Sequence, residues 1–155
     1  LEWKDAQRLP FDILFLFGGG FALAHGFKQS GLDTVVAAQL EPLAQLPLWL
    51  TILCICLFVT FLTEITSNTA TTQLLMPILI AMAQGTQINP LFLMVPATIS
   101  ASYAFMLPVA TPPNAIVFGT NLLPLKQMMR TGLVLNLLGA LLLSGAVYLL
   151  AEILL

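Results

Sequence analysis

Thr63-Glu64-Ile65-Thr66-Ser67-Asn68-Thr69 and Val109-Ala110-Thr111-Pro112-Pro113-Asn114 decide how this chain folds. Each interrupts an apolar run of helical length with hydroxyls and an Asn, and the second adds two prolines. Every charged residue except Glu64 lies at 2–41 or 126–152, so none occurs from Ile65 to Leu125. Over the 155 residues 59% are hydrophobic and 8% charged, with a mean hydropathy of +0.98. Soluble domains average about a quarter charged residues, so this chain must use lipid as its solvent. The same shortage of charge excludes disorder and nucleic-acid binding. A net charge of −2 is too small to steer a partner.

Five apolar stretches surround the two breaks. The first runs from Phe11 to Phe27 across Gly18, Gly19 and Gly20; the second from Leu48 to Leu62; the third from Ala70 to Ala83. The fourth is Leu91 to Val109, followed beyond the break by a short piece from Asn114 to Leu122. The last, Thr131 to Ala151, spans roughly 30 Å and matches a bilayer core. The third reaches only ~21 Å at 1.5 Å per residue, too short to cross. It is therefore expected to return to its starting side with the second as a re-entrant helical hairpin. Asp33–Pro47 has apolar residues at helical spacing and reads as an interfacial helix, which Pro42 would kink. The resulting segments are a first transmembrane helix with its flank (1–32), an interfacial connecting helix (33–47), the hairpin (48–86), a broken transmembrane helix (87–123) and a last transmembrane helix (124–155). Lys4, Arg8, Lys126 and Arg130 then share one face against Lys28 on the other, which makes that face cytoplasmic. The expected fold is an all-α, multi-pass membrane protein.

Non-helical backbone is tolerated at membrane depth only where protein or a water-filled cavity surrounds it, so breaks this polar mark an internal site. Ser67, Asn68 or Thr69 can cap the helix that follows, as Thr111 can, with Pro112 at the favoured first position. Helix starts present N–H donors and partial positive charge, which suit an anion. The preceding helices end in carbonyls near Thr63–Thr66 and Pro108–Ala110, which suit a small hard cation such as Na+. Discontinuous helices are the expected sign of a secondary-transporter binding site. The alternative is a pair of ordinary polar loops between crossings.

At these residues the chain resembles the divalent anion:sodium symporter (DASS, INDY-type) family. The resemblance is carried by Thr63–Ala70 with Leu75-Met76-Pro77, by Ala104–Phe118, and by Leu16-Phe17-Gly18-Gly19-Gly20-Phe21-Ala22-Leu23. It implies the C-terminal half of an inverted-repeat transporter whose missing N-terminal half supplies the rest of the substrate site and a second sodium site. It further implies that Ser67, Asn68 and Thr69 touch a substrate carboxylate, with Thr111 and Pro112 as further substrate contacts. The sodium ligands it implies are the backbone carbonyls of Thr63, Thr66 and Ala110 with the Asn68 side chain. Di- and tricarboxylates (succinate, malate, fumarate, citrate), or sulfate in some branches, would be carried with Na+ by an elevator motion in a homodimer of the cell membrane. Two alternatives stay open: a Na+-independent dicarboxylate exchanger of the same fold, and a non-transporting membrane subunit.

Glu64 is the lone ionisable residue of the apolar middle, and such residues are functional hypotheses by default. It could bind a cation, carry a proton, pair with the missing half, or serve as hydrogen-bonded packing. Cys54 and Cys56 read as small packing residues, His25 as an interfacial polar residue, and Trp3 and Trp49 as interface anchors. Gly132, Asn136, Ala140 and Ser144 recur every fourth residue and form a small face for close helix packing. The triple glycine lacks the Lys and Ser/Thr of a phosphate loop and reads as a place where neighbouring helices approach closely. No nucleophile–base pair or metal-ligand cluster is present, so the chain is not expected to be an enzyme.

Overall fold

A run of apolar residues without Gly or Pro makes Leu48–Thr63 a 16-residue helix, α1, started by the Pro47 carbonyl, which accepts from the N–H groups of Leu50 and Thr51. In the computed structural model the described residues are 46–154 together with 15, 18, 19, 22, 25, 26, 29–32 and 35. The expected connecting helix and most of the expected first crossing therefore lie outside the described residues. Those described between 15 and 35 are helical except for a turn at Ser30–Gly31, where Gly31 takes the left-handed φ of 69°. No described atom lies within 4 Å of a Cβ built on Gly18 or Gly19, and Gly20 lies outside the described residues.

Four more helices follow: α2 (Asn68–Thr86), α3 (Leu91–Ser100), α4 (Pro112–Gly119) and α5 (Leu125–Leu154). No strand occurs among the described residues. α1 buries Thr51, Ile52, Ile55, Cys56, Val59, Thr60 and Thr63, a stripe recurring every four residues, and lies against α5 and α3. Ile52, Val59, Leu79, Met82, Leu93, Ala97 and Ala140 join one apolar core.

α2 is longer than its apolar run suggests. It starts at Asn68 and continues to Thr86, 19 residues, or about 28 Å. Gln87 closes it in the left-handed conformation (φ 56°), and the Ile88 N–H returns to the Ala83 carbonyl at 3.1 Å, a Schellman-type ending. Length therefore no longer argues that this segment stops short of a crossing. Polarity still does, because the helix carries Asn68, Thr69, Thr71, Thr72, Gln73, Gln84 and Thr86. Among the described residues, α5 is the helix both long and apolar enough to span a bilayer.

The sidedness of α5 identifies its solvent. Its buried positions are Met128, Gly132, Asn136, Ala140, Ser144, Val147 and Ala151, whereas Leu133, Leu138, Leu141, Leu142, Leu149 and Leu150 are exposed. A water-soluble helix places its leucines inward; small residues within and leucines without are the pattern of a helix packed in lipid. The helix begins six residues before the expected crossing, with Lys126 and Arg130 in its first turns, where long cationic side chains can reach the interface.

The fourth stretch departs most from expectation. Instead of a helix to Val109, α3 ends at Ser100 and residues 101–111 are turns and irregular chain. Pro108 disfavours helix at Leu107, and the polar groups of this segment find better partners elsewhere. The Glu64 carboxylate accepts from the Met106 N–H (Oε1, 2.9 Å) and the Leu107 N–H (Oε2, 3.0 Å). The Asn114 amide donates to the carbonyls of Ala104 (2.7 Å) and Leu107 (3.0 Å). Asn136 of α5 donates to Glu64 Oε1 at 2.8 Å, and the Thr63 hydroxyl reaches the Ala101 carbonyl at 2.8 Å. An unmade backbone bond in hydrocarbon costs several kcal/mol, so these side chains are what permit an irregular segment here.

Candidate functional site

Both breaks line one cavity of about 470 Å³, walled by Ile65, Thr66, Ser67, Asn68 and Thr69 on one side and Val109, Ala110, Thr111 and Pro112 on the other. Five of these belong to the turn joining α1 to α2 and to the first positions of α2; the other four end the irregular segment and open α4. Of the residues singled out from the sequence, Thr66, Ser67, Asn68, Thr69, Ala110, Thr111 and Pro112 therefore come together. Thr63 does not line the cavity; it is fully buried behind Asn68.

The two helix starts differ chemically. Ser67 occupies the N-cap of α2, with extended backbone and no side-chain bond to the helix, so its exposed hydroxyl is not committed to capping. The first backbone bond at this end is from Thr71 N to Ser67 O at 2.8 Å. The N–H groups of residues 68–70 are thus the orphan donors of the first turn. α4 has none to offer at its first two positions, because Pro112 and Pro113 lack an N–H. The next, Asn114 N, donates to the Thr111 hydroxyl at 3.4 Å. The expectation that each helix start presents N–H donors is corrected accordingly: α2 supplies donors, and α4 supplies its dipole and the capped Thr111 side chain.

Among the loop, turn and cap bonds of the described residues, none ends on the backbone oxygen of Thr63, Thr66 or Ala110. The Thr66 hydroxyl donates to Leu62 O at 2.7 Å and sits 2.6 Å from the Thr71 hydroxyl, which holds the turn closed. Thr63 Oγ1 lies 2.6 Å from Asn68 Oδ1 and 2.8 Å from Ala101 O. A hydroxyl has one proton, and the Ala101 carbonyl can only accept. Both contacts are satisfied when the Asn68 amide is rotated half a turn, its nitrogen donating to Thr63 and its oxygen freed.

Glu64 is only 3% exposed, and three donors converge on its carboxylate, from Met106, Leu107 and Asn136. Of the roles open to it from the sequence, the geometry fits hydrogen-bonded packing between three segments. Two site-shaping residues were not legible as such. Asn114 holds two carbonyls of the irregular segment, although it stands inside the second break. Asn136 was legible only as part of a small-residue face, and its partner lies 72 residues away. The lone Asn in a leucine-rich crossing was the available signal.

The whole chain, residues 1–155, matches the family described as sodium:sulfate symporter transmembrane region. It is 50% identical over 147 residues to the Na(+)/dicarboxylate cotransporter 3 of Rattus norvegicus, covering 94% of this chain and 24% of that protein. Identity to the Na(+)/citrate cotransporter of Mus musculus is 53% over 143 residues, 91% of this chain and 25% of that protein. Solute carrier family 13 member 1 of Mus musculus is 49% identical over 140 residues, 90% of this chain and 24% of that protein. The chain thus spans about a quarter of the length of the curated relatives it matches.

Proposed function

Since this chain belongs to the sodium:sulfate symporter family, we propose that it forms the C-terminal part of a membrane carrier that moves di- or tricarboxylates together with Na+. The observation that carries this reading is the single cavity walled by both breaks. Its volume of about 470 Å³ lies within the ~300–1,000 Å³ of small-molecule sites. Relatives named for sodium with dicarboxylate or citrate support the substrate class.

In this reading the substrate carboxylate binds at the start of α2. Ser67 Oγ, Asn68 and Thr69 meet it there with the first-turn N–H groups, aided by the helix dipole. Thr111 and Pro112 form the opposite wall. The proline pair removes the first two N–H groups of α4, so the carboxylate is held mainly from the α2 side and the α4 side shapes its carbon skeleton. Na+ is bound by the backbone oxygens of Thr63, Thr66 and Ala110 and by the Asn68 amide oxygen, a set of neutral oxygens suited to a hard cation. Asn68 belongs to both sites. Binding the cation fixes the residue that receives the anion, and the cation's charge offsets the anion's. Residues 65–125 themselves carry no charge to do so.

The rest of the reading is an arrangement around that site. Residues 48–86 act as a re-entrant hairpin and 87–123 as a broken helix. A companion N-terminal half completes the substrate site and adds a second sodium site. Transport proceeds by an elevator motion in a homodimer of the cell membrane. The test is uptake of labelled succinate into proteoliposomes of the full-length protein. Accumulation that follows an inward sodium gradient supports the reading; equal uptake with choline in place of sodium overturns it.

A further inference from the structure

The most unusual group in the molecule is the one the cavity does not use. Glu64 is a carboxylate buried at 3% exposure in a segment without another charge, one residue beyond Thr63 and three before Ser67. Its hydrogen-bond partners among the described residues are all donors: Met106 N and Asn136 Nδ2 on one oxygen, Leu107 N on the other. Asn136 is fully buried, and its own Oδ1 has no hydrogen-bond partner among the described residues. A half-satisfied amide inside an apolar crossing costs free energy, and its one bond goes to Glu64.

These bonds join three parts of the chain at one point. Glu64 sits at the end of α1, where the turn to Ser67–Thr69 begins. Met106 and Leu107 sit three to five residues before Ala110 and Thr111. Asn136 anchors the carboxylate to α5, on the same face where a Cβ on Gly132 would meet the backbone of Phe105 and Met106. These bonds therefore tie the chain of one cavity wall to the chain of the other through this carboxylate. We infer that Glu64 is the positioning residue of the site: by holding the 105–107 backbone against the end of α1, it fixes the Ala110–Thr111 wall opposite Thr66–Thr69. This rests on the proposed transport function and adds to it a residue that touches neither ligand.

Such a role has a distinct signature. Loosening one wall weakens every ligand that contacts both, so sodium and carboxylate affinity fall together. In Glu64→Gln one acceptor oxygen becomes an N–H that faces Met106 N, Leu107 N or Asn136 Nδ2, none of which can accept. Losing a hydrogen bond to a charged group corresponds to roughly tenfold in affinity or more. In the full-length carrier in proteoliposomes, Glu64→Gln is expected to raise both the sodium half-saturation concentration and the succinate KM by roughly tenfold, at unchanged amounts of inserted protein. Asn136→Ala, which removes one of the three donors, is expected to raise both by a smaller factor. Either variant inserted normally with both constants within twofold of wild type overturns the inference, as does a rise in one constant alone. If Glu64→Gln does not insert, Asn136→Ala decides; failure of both to insert also overturns it, because that is the result of a purely structural bond. Wild-type protein that shows no sodium-driven uptake refutes the transport reading instead, so the two failures are distinguishable.

Discussion

Replacing Gly132 by alanine tests the packing that shapes the site without touching the cavity. A Cβ at this position lies against the Phe105 carbonyl, 2.5 Å from its carbon and 2.7 Å from Met106 Cα. Carbon atoms sit in contact at about 3.5–4.0 Å, so α5 or the irregular segment must withdraw by about 1 Å. The obstructing atoms are backbone, and that backbone is held by Glu64 and Asn114, so it cannot turn aside as a side chain would. Overpacking of this kind costs about 1–3 kcal/mol, and drawing Met106 or Leu107 off the Glu64 carboxylate adds about 1.5–3 kcal/mol. Against this stands the helix propensity gained from Gly to Ala, about 1 kcal/mol. The steric effect wins, by about 1.5–5 kcal/mol net. Gly145 supplies the control, since a Cβ there meets nothing within 4 Å and only the propensity gain remains. Thermal unfolding of purified full-length protein, paired with sodium-driven succinate uptake, measures both effects. Gly132→Ala should melt lower and show a raised succinate KM, whereas Gly145→Ala should melt no lower than wild type. If the two variants behave alike, the packing of α5 against residues 105–106 is not what holds the site.

Other substitutions separate ligand contacts from structural ones. Asn68→Ala should weaken sodium and succinate binding by roughly tenfold to a hundredfold in uptake assays, and a loss below threefold would leave Asn68 only a turn-shaping role. Ser67→Ala should leave the melting temperature unchanged, because its hydroxyl makes no cap bond, while raising the succinate KM. Thr111→Ala removes a cap whose bond is long at 3.4 Å, so its stability cost should fall near the low end of ~0.5–2 kcal/mol, read as a small drop in melting temperature. Asn114→Leu removes the amide donor to the Ala104 carbonyl and one of the two donors to the Leu107 carbonyl and should cost ~1–3 kcal/mol in the same melting assay.

What could be read from the sequence alone divides along physical lines. The two breaks were legible because hydroxyls, an Asn and a proline pair stand out in a segment whose only charge is Glu64. The small face of α5 was legible for the same reason, and Gly132, Asn136, Ala140 and Ser144 are all buried. The end of α3 at Ser100 was not legible. Ala101–Leu107 is as apolar as the helix before it, and what stops the helix is tertiary: Glu64, Asn114 and Gly132 are distant in sequence. α2 outran its apolar stretch at both ends, taking in Asn68 and Thr69 at its start and Gln84, Gly85 and Thr86 at its end, so polar residues at the helix ends hid its true length. The missing donors of α4 were in plain view as Pro112-Pro113, since a helix start has a dipole whether or not it has N–H groups, and only the groups make hydrogen bonds.

The central claim is that the two breaks wall one substrate site. Ile65 and Val109 line the cavity from opposite breaks, and both are largely exposed, at 73% and 81%. In full-length protein freed of its native cysteines, including Cys54 and Cys56, the single variants Ile65→Cys and Val109→Cys should each react with a membrane-impermeant thiol reagent. Sodium with succinate should slow both reactions. Protection of neither, or of one alone, would contradict the claim.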